Sequence, residues 1–291
     1  MTNPGFNPGF VKKVSNDRIG GPFHYGKIYK QRFNDVFFCA SVCSVTTKKL
    51  KLSDGVFVKI SIIIPAHNEE TRIERTLIEY ASFFEQKKVE HEFIVVLNGC
   101  TDNTLEIVKA VQKNYASIRI IDLPQAGKGL AVAAGFRDAL IRDNDFIGFV
   151  DADMATQPQY FYDLIENIGK YDGIIASRYM KESKIYPPRP WIKEWGRILF
   201  YNPLTRLLFG MNYKDFQCGA KLFKRKVIEK IITELKDGQW AFDVELLYLC
   251  KKHGFVIKEL PTVWYDQGDS KFSLHAGIGM FFSLFKLRFT Q

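Results

Sequence analysis

The chain has 291 residues, of which 46% are hydrophobic and 25% are charged, and this composition is ordinary for a globular protein. This length suits one large α/β domain with additions, or two domains, and allows a sizeable core without disulfides or structural metals. The net charge of +9 indicates an anionic partner, which is nucleic acid, a phosphate-rich substrate or an acidic membrane surface. No nucleic acid is expected as a partner, because the chain has no Lys/Arg block and no known nucleic-acid-binding motif.

The cysteines are few, odd in number and scattered, which favours a reducing compartment over a disulfide framework: Cys39, Cys43, Cys100, Cys218 and Cys250. Cys39 and Cys43 lack a nearby Cys/His pair that would complete a zinc site. The start of the chain does not read as a signal peptide, because no apolar core follows its charges. The longest apolar runs are shorter than the ~20 residues of a spanning helix, so we expect a protein that does not cross a membrane.

Residues 1–55 differ in character from the rest of the chain. The sequence NPGF occurs twice in succession, at Asn3–Phe6 and Asn7–Phe10, and Gly20-Gly21-Pro22 adds another turn signal. This turn chemistry predicts an irregular N-terminal extension draped over the following domain. Its function is not readable from the sequence.

From Lys59 onward the pattern alternates between strands and helices. The predicted strands are Lys59–Pro65, Glu92–Leu97, Ser117–Leu123, Phe146–Val150, Gly173–Ser177 and Phe255–Leu260. The predicted helices are Ile73–Phe84, Asn103–Lys113, Gly129–Ile141, Pro158–Ile168, Lys226–Leu235 and Phe242–His253. The alternation predicts an α/β sheet with helices on both faces. In such sheets ligands bind beyond the carboxyl ends of the strands.

Asp151 and Asp153 follow directly after the fourth predicted strand. Two carboxylates one residue apart at a strand end converge on one hard cation, and Mg²⁺ takes one or two carboxylates and fills its shell with substrate phosphates. The alternative is a capping pair for the next helix, although capping requires only one acid. The pair therefore predicts a site for Mg²⁺ or Mn²⁺ that holds a diphosphate.

Three further polar clusters lie at the ends of predicted strands or the start of a helix. The turn from Pro65 through Asn68 and Glu69 is suited to contact a nucleotide base and ribose, although Asn68 also suits a helix cap. Asn98, after the second strand, is a second candidate for base or ribose. Lys128 lies between two glycines that permit close backbone approach, so it is a candidate for a phosphate contact, although the segment is not a P-loop.

Together, in this order, the clusters from Lys59 onward resemble family 2 glycosyltransferases with the GT-A fold. The resemblance implies a Rossmann-like mixed sheet flanked by helices, nucleotide binding by the Pro-x-x-Asn-Glu turn, and metal binding by Asp151 and Asp153. One departure concerns the base, since the two acidic residues that the family often has after the second strand are here Leu97 and Asn98.

The second half of the chain resembles dolichyl-phosphate and polyprenyl-phosphate glucosyltransferases. The motifs that carry this likeness are Asp151–Thr156, Ser177–Tyr179, Asp215–Phe223 and Trp240–Leu247. Related mannosyltransferases have a metal-binding Gln two residues after the second Asp, and Ala155 stands there instead. This departure favours the glucosyl branch, which the resemblance links to UDP-glucose.

The resemblance also gives roles to later residues. Arg178 is a candidate clamp for an acceptor or donor phosphate. Asp215 and Gln217 are the candidate catalytic residues, as a general base for a hydroxyl acceptor or as contacts to donor hydroxyls or the metal shell. Ser270 and Lys271 resemble a Gly-Ser-Lys loop that meets the acceptor phosphate, with Asp269 inserted. Asp243 and Glu245 point to different faces of a helix, so one of them is expected at the site.

Two segments carry an apolar stripe beside basic residues, which is typical of a helix that lies on a membrane surface and also of a helix that packs on a core. In the tail the stripe is Leu274, Ile278, Phe281, Phe282, Phe285 and Phe289, with Lys286 and Arg288. The second segment is Trp191–Phe209. We expect at least one to touch a membrane.

The sequence thus predicts an N-terminal extension (1–55), a GT-A transferase domain (56–260), and an acceptor loop with a membrane-associating helix (261–291). We expect an inverting, metal-dependent transfer of a sugar from a nucleotide diphosphate donor to a polyprenyl or dolichyl phosphate, at the cytoplasmic face of a membrane. The alternatives are a family 2 enzyme that acts on a saccharide hydroxyl, and a catalytically silent module that binds nucleotide sugar or membrane.

Overall fold

The computed structural model describes residues 58–87, 89–188, 201–236, 238, 241–267 and 282–289, all within one unit of the chain. The extension predicted for residues 1–55 lies outside the described residues. So do the first part of the segment Trp191–Phe209 and three residues of the tail stripe, Leu274, Ile278 and Phe281.

Nine strands are formed by the described residues: β1 (Lys59–Ala66), β2 (Glu90–Asn98), β3 (Ile118–Leu123), β4 (Phe146–Phe149), β5 (Gly173–Ser177), β6 (Lys184–Tyr186), β7 (Lys221–Lys224), β8 (Ile257–Pro261) and β9 (Val263–Tyr265). The helices are α1 (Ile73–Glu85), α2 (Thr104–Gln112), α3 (Lys128–Leu140), α4 (Pro158–Asn167), α5 (Asn202–Phe209), α6 (Arg225–Ile231), α7 (Phe242–Lys252) and α8 (282–289).

Seven strands form one sheet in the order β3-β2-β1-β4-β7-β5-β8. All pairings are parallel except those of β7, which runs antiparallel between β4 and β5. The sequence pattern assigns no strand to β7, because its four residues carry no alternation of their own. The mixed, Rossmann-like α/β sheet flanked by helices is confirmed.

The sheet is buried on both faces, and its side chains separate into two core clusters. In β1, Ile62 and Ile64 pack with α1, α2 and α4, whereas Ile63 packs on the opposite side with α3, α6 and α7. This division follows from the pleat, which sends successive side chains of a strand to opposite faces. A strand covered on both faces has to be apolar throughout, which explains the continuous isoleucine run of β1.

Strands β6 and β9 form a separate two-stranded parallel sheet, which the sequence does not predict. The amide of Tyr265 in β9 donates to the carbonyl of Ala155, 2.8 Å away, and thereby attaches this small sheet to the loop after β4. The sheet-forming part of the chain therefore continues to Tyr265, five residues beyond the domain boundary expected from the sequence at residue 260.

Candidate active site

The acidic pair lies where the sequence predicts it, in the loop after β4. Asp151 and Asp153 are both partly buried. Met154, which follows the pair, has a left-handed backbone with φ of 61°. The following helix, α4, has Gln157 at its N-cap and no side-chain cap. Asp153 instead accepts a hydrogen bond from the amide of Ala155. The carboxylates therefore do not serve as the helix caps considered above.

The pKa values of the two carboxyl groups indicate that a positive charge beside them is favourable. Burial and the neighbouring Asp151 carboxylate raise the pKa of Asp153 above its usual range. Burial also tends to raise the pKa of Asp151, but the Lys128 ammonium, 2.7 Å from its Oδ1, holds that pKa below the usual value. Two close carboxylates resist double ionisation unless positive charge lies beside them.

The donor set fits a divalent ion that shares its shell with a diphosphate. Within the described part of the chain, no group of three or more His, Cys, Asp or Glu side chains is arranged to hold a metal. Two carboxylates are nevertheless what Mg²⁺ usually takes from a protein when substrate phosphates supply further oxygens. Asp151 and Asp153 are therefore the residues that would hold such an ion.

Gly219 supports Asp151 from below, and the sequence does not single it out. The antiparallel strand β7 brings the preceding turn under the acidic loop, and a Cβ on Gly219 would lie only 1.8 Å from Oδ2 of Asp151. Only glycine leaves room for the carboxylate at this point. The sequence signal for this role was the motif Asp215–Phe223, which identifies the segment but not the contact.

A buried chain of alternating charges leads from the sheet to the acidic pair. Lys221 is fully buried, and its Nζ lies 2.5 Å from Oδ1 of Asp243 and 2.6 Å from the carbonyl of Cys218. The other carboxylate oxygen of Asp243 lies 4.0 Å from Nζ of Lys128, which in turn contacts Asp151. Asp243 therefore links the two lysines and fixes the one that faces the site.

The two acids of α7 point to different faces of the helix, as predicted, whereas a role of either in the site stays a prediction. Asp243 faces the lysines of the site, whereas Glu245 is fully buried on another side of the helix and accepts hydrogen bonds from the amide of Lys236. Residues two apart on a helix cannot share a face.

A cavity of about 420 Å³ opens in front of the acidic pair. Six of the predicted site residues line it, and they are Pro65, Glu69, Asn98, Lys128, Asp151 and Asp153. The structure adds His67, Ala126, Gly127 and Ala152 to the lining. The predicted clusters at the ends of β1, β2 and β4 and at the start of α3 therefore do meet around one space. Its volume is within the range of small-molecule sites.

Asn98 has a structural task that the sequence does not reveal. Its side chain is 3% exposed, its Nδ2 donates to the carbonyl of Ala66, and its Oδ1 accepts from the amide of Gly127. The carbonyl of Asn98 also contacts Nδ1 of His67 at 2.7 Å. One amide thus ties together the loop after β1, the loop after β2 and the start of α3. A contact of Asn98 with the nucleotide stays a prediction.

The other two residues of the β1 turn are also engaged. Asn68, with φ of 54°, is not among the residues that line the cavity, and its Oδ1 accepts from the amide of Thr101. The helix α1 begins at Ile73, so Asn68 does not cap it. Glu69 lines the cavity while its carboxylate forms a two-pronged ion pair with Arg72. Nucleotide contacts of both residues stay predictions.

Arg178 and Asp215 form a buried ion pair. Asp215 is 1% exposed and accepts from the backbone amide, Nε and Nη2 of Arg178 at 2.7 to 3.0 Å. Burial alone would raise the pKa of Asp215, but the guanidinium holds it below the usual value. Asp215 therefore faces Arg178 and not the cavity lining. Its catalytic role, like that of Gln217, whose amide donates to Asp215, stays a prediction. Ser270 and Lys271 lie outside the described residues.

Comparison with known proteins agrees with this architecture. The chain matches the family described as Glycosyl transferase family 2 over residues 61–232. It is 34% identical over 239 residues to a dolichyl-phosphate beta-glucosyltransferase of Drosophila melanogaster, covering 76% of this chain and 71% of that one. The corresponding enzyme of Saccharomyces cerevisiae is 35% identical over 243 residues, with the same coverage of 76% and 71%. The match to glycosyltransferase AglD of Haloferax volcanii is 31% identical and covers 79% of this chain but only 36% of that protein.

Solved structures show the same fold. Glucosyl-3-phosphoglycerate synthase of Mycobacterium tuberculosis in complex with UDP superimposes with a TM-score of 0.58 at 18% identity, over 79% of this chain and 80% of that one. The mannosyltransferase PcManGT of Pyrobaculum calidifontis, in complex with GDP-Man and Mn²⁺, gives 0.54 at 17% identity, over 84% and 65%. The fold and the family match define a glycosyltransferase with the GT-A fold. This chain belongs to glycosyl transferase family 2.

Proposed function

We propose that this chain transfers glucose from UDP-glucose to dolichyl phosphate or another polyprenyl phosphate, with inversion at the anomeric carbon and with Mg²⁺ or Mn²⁺ as cofactor. The observation that carries the proposal is the acidic pair with Lys128 in the lining of the cavity. The names of the fly and yeast relatives support the sugar and the acceptor. The Mn²⁺ and UDP complexes of the structural neighbours support the metal and the nucleotide.

The residues divide the work along the cavity. Asp151 and Asp153 would hold the divalent ion, which when bound would neutralise negative charge on the leaving diphosphate. Asp151 and Asp243 raise the pKa of Lys128 above its ordinary value despite burial, so its ammonium stays charged and binds a diphosphate oxygen. The loop residues Pro65, Glu69 and Asn98 also line the cavity and would contact the nucleoside.

The acceptor needs no general base in this proposal. A lipid phosphate is already an anionic nucleophile, and its oxygen attacks the anomeric carbon in line as the diphosphate leaves. Arg178 orients the acceptor phosphate, and Asp215 keeps the Arg178 guanidinium in place through its ion pair. The engagement of Asp215 with Arg178 favours this acceptor over a saccharide hydroxyl, which would require a carboxylate that is able to take a proton.

The test is a transfer assay with UDP-glucose and a polyprenyl phosphate. Asp153→Ala should reduce turnover at least about 100-fold, because transition-state charge is left uncompensated. Asp143→Ala is the matched control, since its side chain is 90% exposed and pairs with Lys59 at the surface. A lipid-linked glucose from the intact protein supports the proposal. Only water-soluble products would favour the saccharide acceptor, and no turnover with any UDP- or GDP-sugar would favour the silent module.

We also propose that the protein works at the cytoplasmic face of a membrane. No helix in the described ranges is long and apolar enough to span a bilayer. In α8, Leu284 and Leu287 are buried in the core, whereas Phe282, Phe285 and Phe289 are 72%, 44% and 85% exposed. Exposed cations, Lys286 and Arg288, accompany them. An apolar face beside cations favours binding to anionic lipid surfaces.

Liposome flotation tests the membrane contact. Full-length protein should float with anionic vesicles, and removal of residues 272–291 should abolish flotation. Because the truncation also removes the buried leucines of α8, the variant Phe282→Ser/Phe285→Ser/Phe289→Ser should be tested beside it. Unchanged binding of both variants would exclude α8 as the anchor.

A further inference from the structure

The small sheet of β6 and β9 has one buried and one outward face. In its parallel register Ile185 lies opposite Trp264, and this pair faces the core. The pairs on the other face are Lys184 with Val263 and Tyr186 with Tyr265. The rings of the two tyrosines lie 5.8 Å apart and are tilted by 31°, and Tyr186 is 45% exposed. We call Lys184, Tyr186, Val263 and Tyr265 the outer face of the small sheet.

This outer face adjoins the active site through hydrogen bonds. The amide of Tyr265 donates to the carbonyl of Ala155, whose own amide donates to the carboxylate of Asp153. Tyr160, at the start of α4, shares a side-chain hydrogen bond with Tyr265. One tyrosine of the outer face is therefore fixed directly beside the acidic loop.

The positively charged side chain of Arg178 packs against the buried face of the same sheet. The guanidinium of Arg178 lies between the rings of Tyr179 and Trp264, 5.3 Å from the centre of each. Its Nε and Nη2 are engaged by Asp215, whereas no hydrogen bond to Nη1 is formed by any described residue. Arg178 is thus held in place by Asp215 and the two rings, with 10% of its side chain exposed.

We propose that the outer face of the small sheet binds the first isoprene units of a polyprenyl phosphate acceptor, with its phosphate at the edge of the sheet next to Arg178, where the hydroxyl of Ser183 donates to the carbonyl of Ser177. This inference rests on the proposed function and names a binding surface for its acceptor. A prenyl phosphate is amphipathic, with an anionic head and an unsaturated apolar chain. The head would meet Arg178 at one end of the face, and the chain would lie along the half-exposed tyrosine rings.

The ring of Tyr186 is the best probe, since it is the more exposed of the two tyrosines and its loss leaves the Tyr160 contact intact. Tyr186→Ala should raise the KM for a prenyl phosphate about tenfold, which corresponds to about 1.4 kcal/mol. Tyr186→Phe keeps the ring and should recover most of that loss. The KM for UDP-glucose should stay within about twofold of the wild type, because the donor cavity does not include Tyr186.

The matched control is Tyr171→Ala. Tyr171 is half-buried, its ring lies against Lys258, and it precedes the first residue of β5, whereas Arg178 follows the last. Steady-state kinetics with farnesyl phosphate in detergent separates this surface from any membrane contact of α8. Selective loss of acceptor affinity in Tyr186→Ala, absent in the control, supports the proposal. An unchanged acceptor KM in Tyr186→Ala, with active wild type, overturns the proposal while the proposed function stands. Wild-type protein that glucosylates no prenyl phosphate overturns both.

Discussion

Replacing Gly219 with alanine tests whether the position of Asp151 governs catalysis. The added Cβ would lie 1.8 Å from Oδ2 and 2.2 Å from Cγ of Asp151, whereas ordinary contacts begin at 3.4 Å. The carboxylate would have to retreat by about 1.6 Å, the difference between these distances, and so leave its 2.7 Å contact with Lys128. A misplacement of about 1 Å at a reacting centre costs on the order of 100-fold in rate.

We therefore expect Gly219→Ala to lower kcat/KM for glucose transfer about 100-fold and to weaken UDP binding in the presence of Mn²⁺, measured by calorimetry. Overpacking should also lower the free energy of unfolding by about 1–3 kcal/mol. Asp151→Asn removes the charge without adding bulk and should produce a similar kinetic defect.

Gly254→Ala is the control for a general effect of glycine replacement. Gly254 has φ of 74° and no atom within 4 Å of its built Cβ, so alanine there strains the backbone without a clash. It should destabilise the fold by about 1–2 kcal/mol and leave kcat/KM unchanged. Wild-type kinetics in Gly219→Ala would refute the reasoning, because the carboxylate would then tolerate a different position.

Three further results are expected. Asp243→Ala leaves the ammonium of fully buried Lys221 without a carboxylate and should lower the free energy of unfolding in urea by about 3–5 kcal/mol. Glu229→Ala breaks an exposed pair with Arg225 and should lower it by less than about 1 kcal/mol. Because the folded-state pKa of Asp215 lies below its unfolded value of about 3.9, its contribution to stability is complete above that pH and is lost as the pH falls through the folded pKa. Stability should therefore decline below about pH 4, and less steeply in Asp215→Asn. Chelation with EDTA should abolish transfer and weaken UDP binding, and Mn²⁺ or Mg²⁺ should restore both.

Each of these has a contradicting outcome. Equal costs for Asp243→Ala and Glu229→Ala would mean that the buried lysine does not depend on its carboxylate. Identical acid profiles for Asp215→Asn and the wild type would mean that the ion pair with Arg178 does not contribute to acid stability. Transfer that persists in EDTA would remove the metal from the proposed mechanism.

Local signals in the sequence are enough to locate several strands and helices. The strand Gly173–Ser177 has the predicted bounds, and the helix Phe242–Lys252 differs from its prediction by one residue. Periodicity and breaker residues act over a few neighbours, so they locate such elements and the polar turns that follow them. Because parallel strands end at one edge of a sheet, the same reasoning also brought the acidic pair, the Pro65 turn and Lys128 to one cavity.

Which polar side chains pair with one another at this cavity follows from the packing of distant segments. The antiparallel insertion of β7 sets Gly219 under Asp151, and the pairing of β6 with β9 encloses Arg178. The amide of Asn98 is used to join loops, and Arg178 engages Asp215 across 37 residues of sequence. Such contacts join segments far apart in the chain, and no pattern of neighbouring residues encodes them, because a buried polar group takes whichever partner the packed fold brings within reach.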